Sequence, residues 1–65
     1  MKSRIRVLIA DDRPRSRTGL RALLSLRPEV EIVGEAADGQ QAVQMIEETQ
    51  PDVILMDVLM PRPTL

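Results

Sequence analysis

The sequence holds no cysteine, no histidine and no Phe, Tyr or Trp. Without cysteine there is no disulfide and no thiolate metal site, and without histidine there is neither an imidazole ligand nor the usual general base. The missing aromatics remove the stacking platforms that single-stranded nucleic acids bind to, so no direct nucleic-acid binding is expected of this segment. No run approaches the about 20 apolar residues of a membrane span, and Met1-Lys2-Ser3-Arg4 leads into a strand-like run without a signal-peptide pattern. A cytoplasmic location with no membrane contact is the expectation. Chemistry must come from carboxylates, hydroxyls, arginines and a borrowed ion.

At 65 residues the chain is at most one small domain, and a domain of that size hides only about 60% of the surface its unfolded chain exposes. Its net charge of −1 conceals an asymmetry. Residues 1–27 carry eight of the nine Lys and Arg against Asp11 and Asp12, a net of +6, while residues 28–65 carry eight acids against Arg62, a net of −7. The two halves should attract as opposite faces of one fold, in preference to forming a dedicated basic docking surface.

Two apolar runs end in carboxylates. Ile5-Arg6-Val7-Leu8-Ile9-Ala10 runs into Asp11-Asp12-Arg13-Pro14, and Val53-Ile54-Leu55-Met56 runs into Asp57, with Pro61 four residues on. Short, uninterrupted apolar runs bounded by turn residues read as parallel strands covered on both faces. An unpaired carboxylate inside such a strand is very costly, so Asp57 belongs at the strand's carboxyl end with a cationic partner nearby.

Between these runs, proline at a first helical turn predicts a helix beginning near Pro14, and Pro28 predicts its end around Leu26. Leu20, Leu23, Leu24 and the stem of Arg27 form its expected inner stripe, with Arg13, Arg17 and Arg21 recurring every four residues on another side. Residues 29–36 alternate partly between acids and apolar residues, as a half-exposed edge strand does. Asp38-Gly39-Gln40-Gln41 has the form of a capping box. The helix it opens should bury Ala42, Val43 and Ile46 with Met45 alongside, keep Gln44, Glu47 and Glu48 wet, and stop at Gln50-Pro51-Asp52.

The order is β-α-β-α-β. If the first strand is central, right-handed crossovers give strand order 2-1-3 with the helices on opposite faces, and ligands in such sheets bind at the carboxyl ends of the strands where the order reverses. Asp11, Asp12 and Asp57 are expected to converge there, with no internal cation to neutralise them. An all-oxygen cluster favours a hard ion such as Mg²⁺ with retained waters, and a metal so held is half of a phosphoryl-transfer site. Taken alone, Asp12 serves equally well as a helix cap before Pro14, and Asp57 could cap the turn before Pro61.

Residues 5–14, the Thr18-Gly19-Leu20-Arg21-Ala22-Leu23-Leu24 helix, residues 33–39 and residues 52–61 together resemble the receiver domain of bacterial two-component response regulators. The wording is most similar to the LuxR-type (NarL-type) transcription regulators. The paired Asp and the Asp-x-x-x-Pro combination are its specific features, over a core of 5–61 with 62–65 as a tail. The resemblance implies a flavodoxin-like (CheY-like) doubly wound parallel sheet, here the amino-terminal β-α-β-α-β half of a receiver domain. It implies Asp57 as phosphoacceptor from a phosphohistidine of a sensor histidine kinase. Asp12 would be a direct Mg²⁺ ligand, Asp11 would act largely through water, and the backbone carbonyl of Leu59 would complete the protein's donors. The chain itself would not be an enzyme.

A family receiver is about twice as long, and its Ser/Thr on strand four and Lys on strand five have no counterpart in these residues. Phosphoryl transfer is expected to be impaired accordingly. Arg15 and Ser16 stand where family members often carry apolar residues, which would weaken packing of the first helix. A rival reading is a receiver-derived interaction fragment without chemistry, and an open edge of the third strand points to a homodimer joined there. A haloacid dehalogenase-type phosphohydrolase also begins with an apolar strand ending in Asp but needs a second Asp where this chain has Leu59. Gly34-x-x-x-x-Gly39 is followed by Gln40, so it is no phosphate-binding loop.

Overall fold

A continuously apolar stretch from Val7 to Ala10 needs cover on both faces, and the arrangement of the other elements supplies it. The computed structural model describes residues 4–56. They form β1 (Ile5–Ala10), α1 (Pro14–Ser25), β2 (Val30–Ala36), α2 (Gly39–Thr49) and β3 (Val53–Met56) in that order. The sheet is parallel with order β2-β1-β3, so β1 is central. Leu8, Ile9 and Ala10 are fully buried, worth about 1.5–3 kcal/mol for each of the two larger side chains.

The helices lie on opposite faces, as the crossover rule requires. Successive strand residues point to opposite sides. In β2, Gly34 lies under Met45 of α2, while Glu35 meets Arg17 and Arg21 of α1. Ala10, Ala36 and Ala42 form a small-residue core on the α2 face, with Met45 packed against it. Gly34 is needed for closeness: a Cβ there would lie 3.1 Å from Leu8 Cδ1 and 3.2 Å from Met45 Sδ. The β1–β2 register slips by one residue after Val7, which pairs with Ile32 while Leu8 pairs with Gly34, leaving Val33 as a bulge.

Both helix starts and stops follow local chemistry. Pro14 takes the first helical position of α1, whose N-cap is Arg13 without a side-chain capping bond. At α2, Asp38 Oδ1 accepts from the Gln41 backbone N–H (2.8 Å), and Gln41 Oε1 accepts from the N–H of Ala37 (2.8 Å). The capping box is therefore present, with its return bond made one residue before the cap. The helix ends at Gln50, held in the left-handed region at φ 48° with its N–H bonded to Ile46 O. The chain then joins β1 through Asp52, whose N–H donates to Arg6 O (2.8 Å) and whose Oδ2 accepts from Arg6 N–H (2.8 Å).

Three expectations about burial need correction. Leu23 is 65% exposed, Val43 is 50% exposed, and β3 is covered on neither face, with Val53, Ile54 and Met56 all exposed. Among the described residues the backbones of α1 and α2 pack on β1 and β2, and α1 approaches β3 only through Leu20, across an open depression from Leu55 and Met56. The inner stripe of α1 is Ser16, Arg17, Leu20 and Leu24, all half-buried, and α1 buries no residue fully. Arg21 on one flank of that stripe reaches Glu35 on β2, while Leu23 on the other flank is left exposed. On α2, Met45 packs against the alanine core while Val43 is left exposed.

Replacing Gly34 with Val should lower stability by about 1–3 kcal/mol through overpacking against Leu8 and Met45. The loss should be less than additive when combined with Met45→Ala, read from urea midpoints of the four chains. Gln50→Gly should raise stability by a net of roughly 0.5–1 kcal/mol, the left-handed strain relieved less the added freedom of the unfolded chain, and this is read as a higher thermal midpoint.

Candidate functional site

β1 delivers Asp11 to the carboxyl edge of the sheet while still buried, at 4% exposure. Its N–H donates to Ala36 O (3.0 Å), so the β1–β2 ladder extends one residue past the strand. Its backbone carbonyl accepts from Arg17 Nη1 (2.7 Å). Its carboxylate Oδ1 accepts from the Arg13 N–H (2.8 Å) and lies 3.5 Å from Arg13 Nε. A carboxylate removed from water needs such partners, and here both the backbone and the side chain of one residue supply them.

The arginine stripe of α1 continues this network toward β2. Arg17 Nε lies 3.9 Å from Glu35 Oε1, and Arg21 Nη1 pairs with Glu35 Oε2. The attraction expected between the basic first part of the chain and the acidic remainder is therefore concrete at Glu35. Asp11, Arg13, Leu20, Leu55 and Met56 line an open depression of about 240 Å³ at this end of the sheet.

Asp11 and Asp12 are brought to the carboxyl end of β1 as expected, with Asp11 buried and Asp12 exposed. Asp12 is not the cap of α1, because Arg13 occupies that position. Asp57 and Leu59 lie outside the described residues; β1 and β3 are in register up to Ala10 opposite Met56, the residues that precede Asp11 and Asp57 in sequence. The expectation of a site without an internal cation is corrected by Arg13, which sits on Asp11. Arg13, Arg17 and Glu35 are the participants that the sequence reading did not single out. The four-residue arginine period is the signal for the first two, but by itself it places them only on one side of α1.

Carboxylate and carbonyl oxygens are the donors a hard cation takes, and Asp11 with Asp12 fits that chemistry. Among the described residues no three His, Cys, Asp or Glu gather to hold a metal ion, and the third member of the expected set is Asp57.

Residues 7–64 match the response regulator receiver domain. The transcriptional regulatory protein LiaR of Bacillus subtilis is 50% identical over 56 residues, 86% of this chain and 26% of that protein. The protein-glutamate methylesterase/protein-glutamine glutaminase 3 of Myxococcus xanthus is 51% identical over 57 residues, 88% of this chain and 16% of that protein. The signal receiver domain of the response regulator NarL from Mycobacterium tuberculosis superposes with a TM-score of 0.87 at 44% identity, covering 91% of this chain and 48% of that one. The chain thus spans about a quarter of LiaR and just under half of the solved receiver domain. Fold, strand order and sequence agree, and the chain belongs to the receiver domain family of two-component response regulators.

Proposed function

We propose that the chain is a phosphoryl-accepting signalling module in which Asp57 is the phosphoacceptor and a sensor histidine kinase is the donor. A carboxylate oxygen of Asp57 forms the new bond to phosphorus as the bond to the donor's imidazole nitrogen breaks. Asp11, Asp12 and Asp57, with the Leu59 carbonyl, hold Mg²⁺. When bound, that ion neutralises phosphoryl oxygens and relieves repulsion among the acids. The observation that carries the reading is Asp11 itself, a carboxylate buried and oriented at the end of the central strand, adjacent in the sheet to the strand that leads into Asp57.

In this reading the chain accepts a group and is not itself a turnover enzyme. It acts in the cytoplasm, within a protein whose output is transcription regulation. No helix among the described residues is long and apolar enough to cross a membrane, which is compatible with that location. Transfer to the 65 residues alone is slow, because half of the solved receiver domain has no counterpart in them.

Incubation with acetyl phosphate and Mg²⁺ should add one phosphoryl mass to no more than a trace of the chain, and chelating the metal or replacing Asp57 with Asn should abolish even that. A mass gain that survives in Asp57→Asn would sink the assignment. Asp12→Ala should abolish Mg²⁺-dependent amide shifts at Asp11 and Asp12, and unchanged shifts would show that the ligands lie elsewhere.

A second reading rests on the exposed apolar residues of β3. The outer edge of Val53–Met56 carries no Lys, Pro or inward charge, and such an edge is a template for pairing with another chain. Two copies joined there would form a homodimer that covers Val53, Ile54 and Met56. Light scattering over a range of concentrations should then show association that Ile54→Lys prevents; a strictly monomeric species at all concentrations rules the pairing out.

A further inference from the structure

We propose that Arg13 is a built-in counterion of the cation site, and that a divalent cation binding at Asp11 and Asp12 displaces its guanidinium. The inference rests on the cation reading above and adds to it a residue that sets the affinity. Asp11 Oδ1 receives two contacts from Arg13, and they come from different parts of the residue. The backbone N–H, at 2.8 Å, orients the carboxylate. The side-chain Nε, at 3.5 Å, neutralises it.

The two contacts differ in what they cost a cation. A backbone donor is part of the β1–α1 turn and stays whether or not an ion is bound, so it preorganises the oxygen. The guanidinium is a positive charge standing where another positive charge must approach, and whether the ion touches Asp11 directly or through a water, the two repel. The side chain is also the accessible member of the pair, 61% exposed against 6% for that of Asp11. It borders the open depression formed with Leu20, Leu55 and Met56, which leaves room for withdrawal. Arg17 is not placed to compete in this way, since it holds the Asp11 carbonyl and is itself paired with Glu35.

Arg13 therefore keeps a buried carboxylate compensated while no ion is present and lowers the affinity for the ion when it arrives. Arg13→Gln retains the backbone donor and removes the competing charge. Mg²⁺ titration followed by amide shifts of residues 11–13 should give about tenfold tighter binding in Arg13→Gln than in the parent chain, with Arg13→Lys remaining weak. Arg21→Gln removes the same charge from a position paired with Glu35, away from Asp11, and should change affinity by less than about twofold in ordinary salt.

In the parent chain the Arg13 Nε–Hε resonance should shift on saturation with Mg²⁺, a readout that needs no variant to fold. Equal or weaker binding in Arg13→Gln, or an Arg13 Nε–Hε signal unmoved at saturation, overturns the proposal while leaving the cation site standing. No Mg²⁺ binding in either chain removes the site itself and the proposal with it.

Discussion

A buried strand that ends in a carboxylate must have that charge compensated within its next few residues, and much of this structure follows from how it is done. β1 carries Leu8, Ile9 and Ala10 out of solvent, and Asp11 leaves the strand before it reaches water. The compensation comes from the turn itself: Arg13 gives Asp11 a backbone donor and a cation, and Pro14 starts the helix at once. Because the acid binds the N–H of the N-cap residue, the position at which α1 begins is tied to the position at which β1 ends. Arg17, one turn on, then holds the Asp11 carbonyl, and Glu35 gathers Arg17 with Arg21. The first helix is thus oriented by charge at its start, which suits an element that buries none of its residues fully.

Cover in this sheet is one-sided. The helices shelter β1 and β2, and Val53, Ile54 and Met56 of β3 are left exposed, along with Leu23, Leu26 and Val43 on or next to the helices and Ile5 at the start of β1. The β1–β3 ladder is nonetheless well anchored at its beginning, since Asp52 and Arg6 exchange two 2.8 Å bonds and Arg6 Nη1 reaches Gln50 O at 3.2 Å. Register at β3 is therefore set by polar contacts where the strand starts, and does not depend on a packed face.

The sequence shows element order, strand order and both helix starts because each has a local cause: the apolar runs, Pro14, and the Asp38–Gln41 exchange. Helix faces are legible only in part. Periodicity names a stripe about three residues wide, but which of its flanks is covered depends on where the neighbouring elements stop, so Leu20 and Leu24 are placed correctly and Leu23 and Val43 are not. Asp11 and Asp12 are legible as a pair because two acids directly after a buried run have no structural use of comparable economy. Arg13 is missed for a related reason, since a charge next to a turn proline reads as solvated until the distance to Asp11 is known. The left-handed Gln50 is likewise hidden, as most helices that end this way carry glycine there.

The bulge at Val33 acts as a phase shifter for the whole sheet. In an unbroken ladder Leu8 would face Val33 and Ala10 would face Glu35, so that each β2 side chain from that point on would emerge on the other side. Glu35 would then be driven toward the alanine core under α2, and Gly34 would leave Met45 for the arginine side. One unpaired residue thus decides which helix meets the acid and which meets the gap. The inversion needs Val33 to be kept and drawn into the ladder; deleting it would close the ladder with Gly34 still opposite Leu8 and Glu35 still opposite Ile9, removing the bulge without exchanging the two faces.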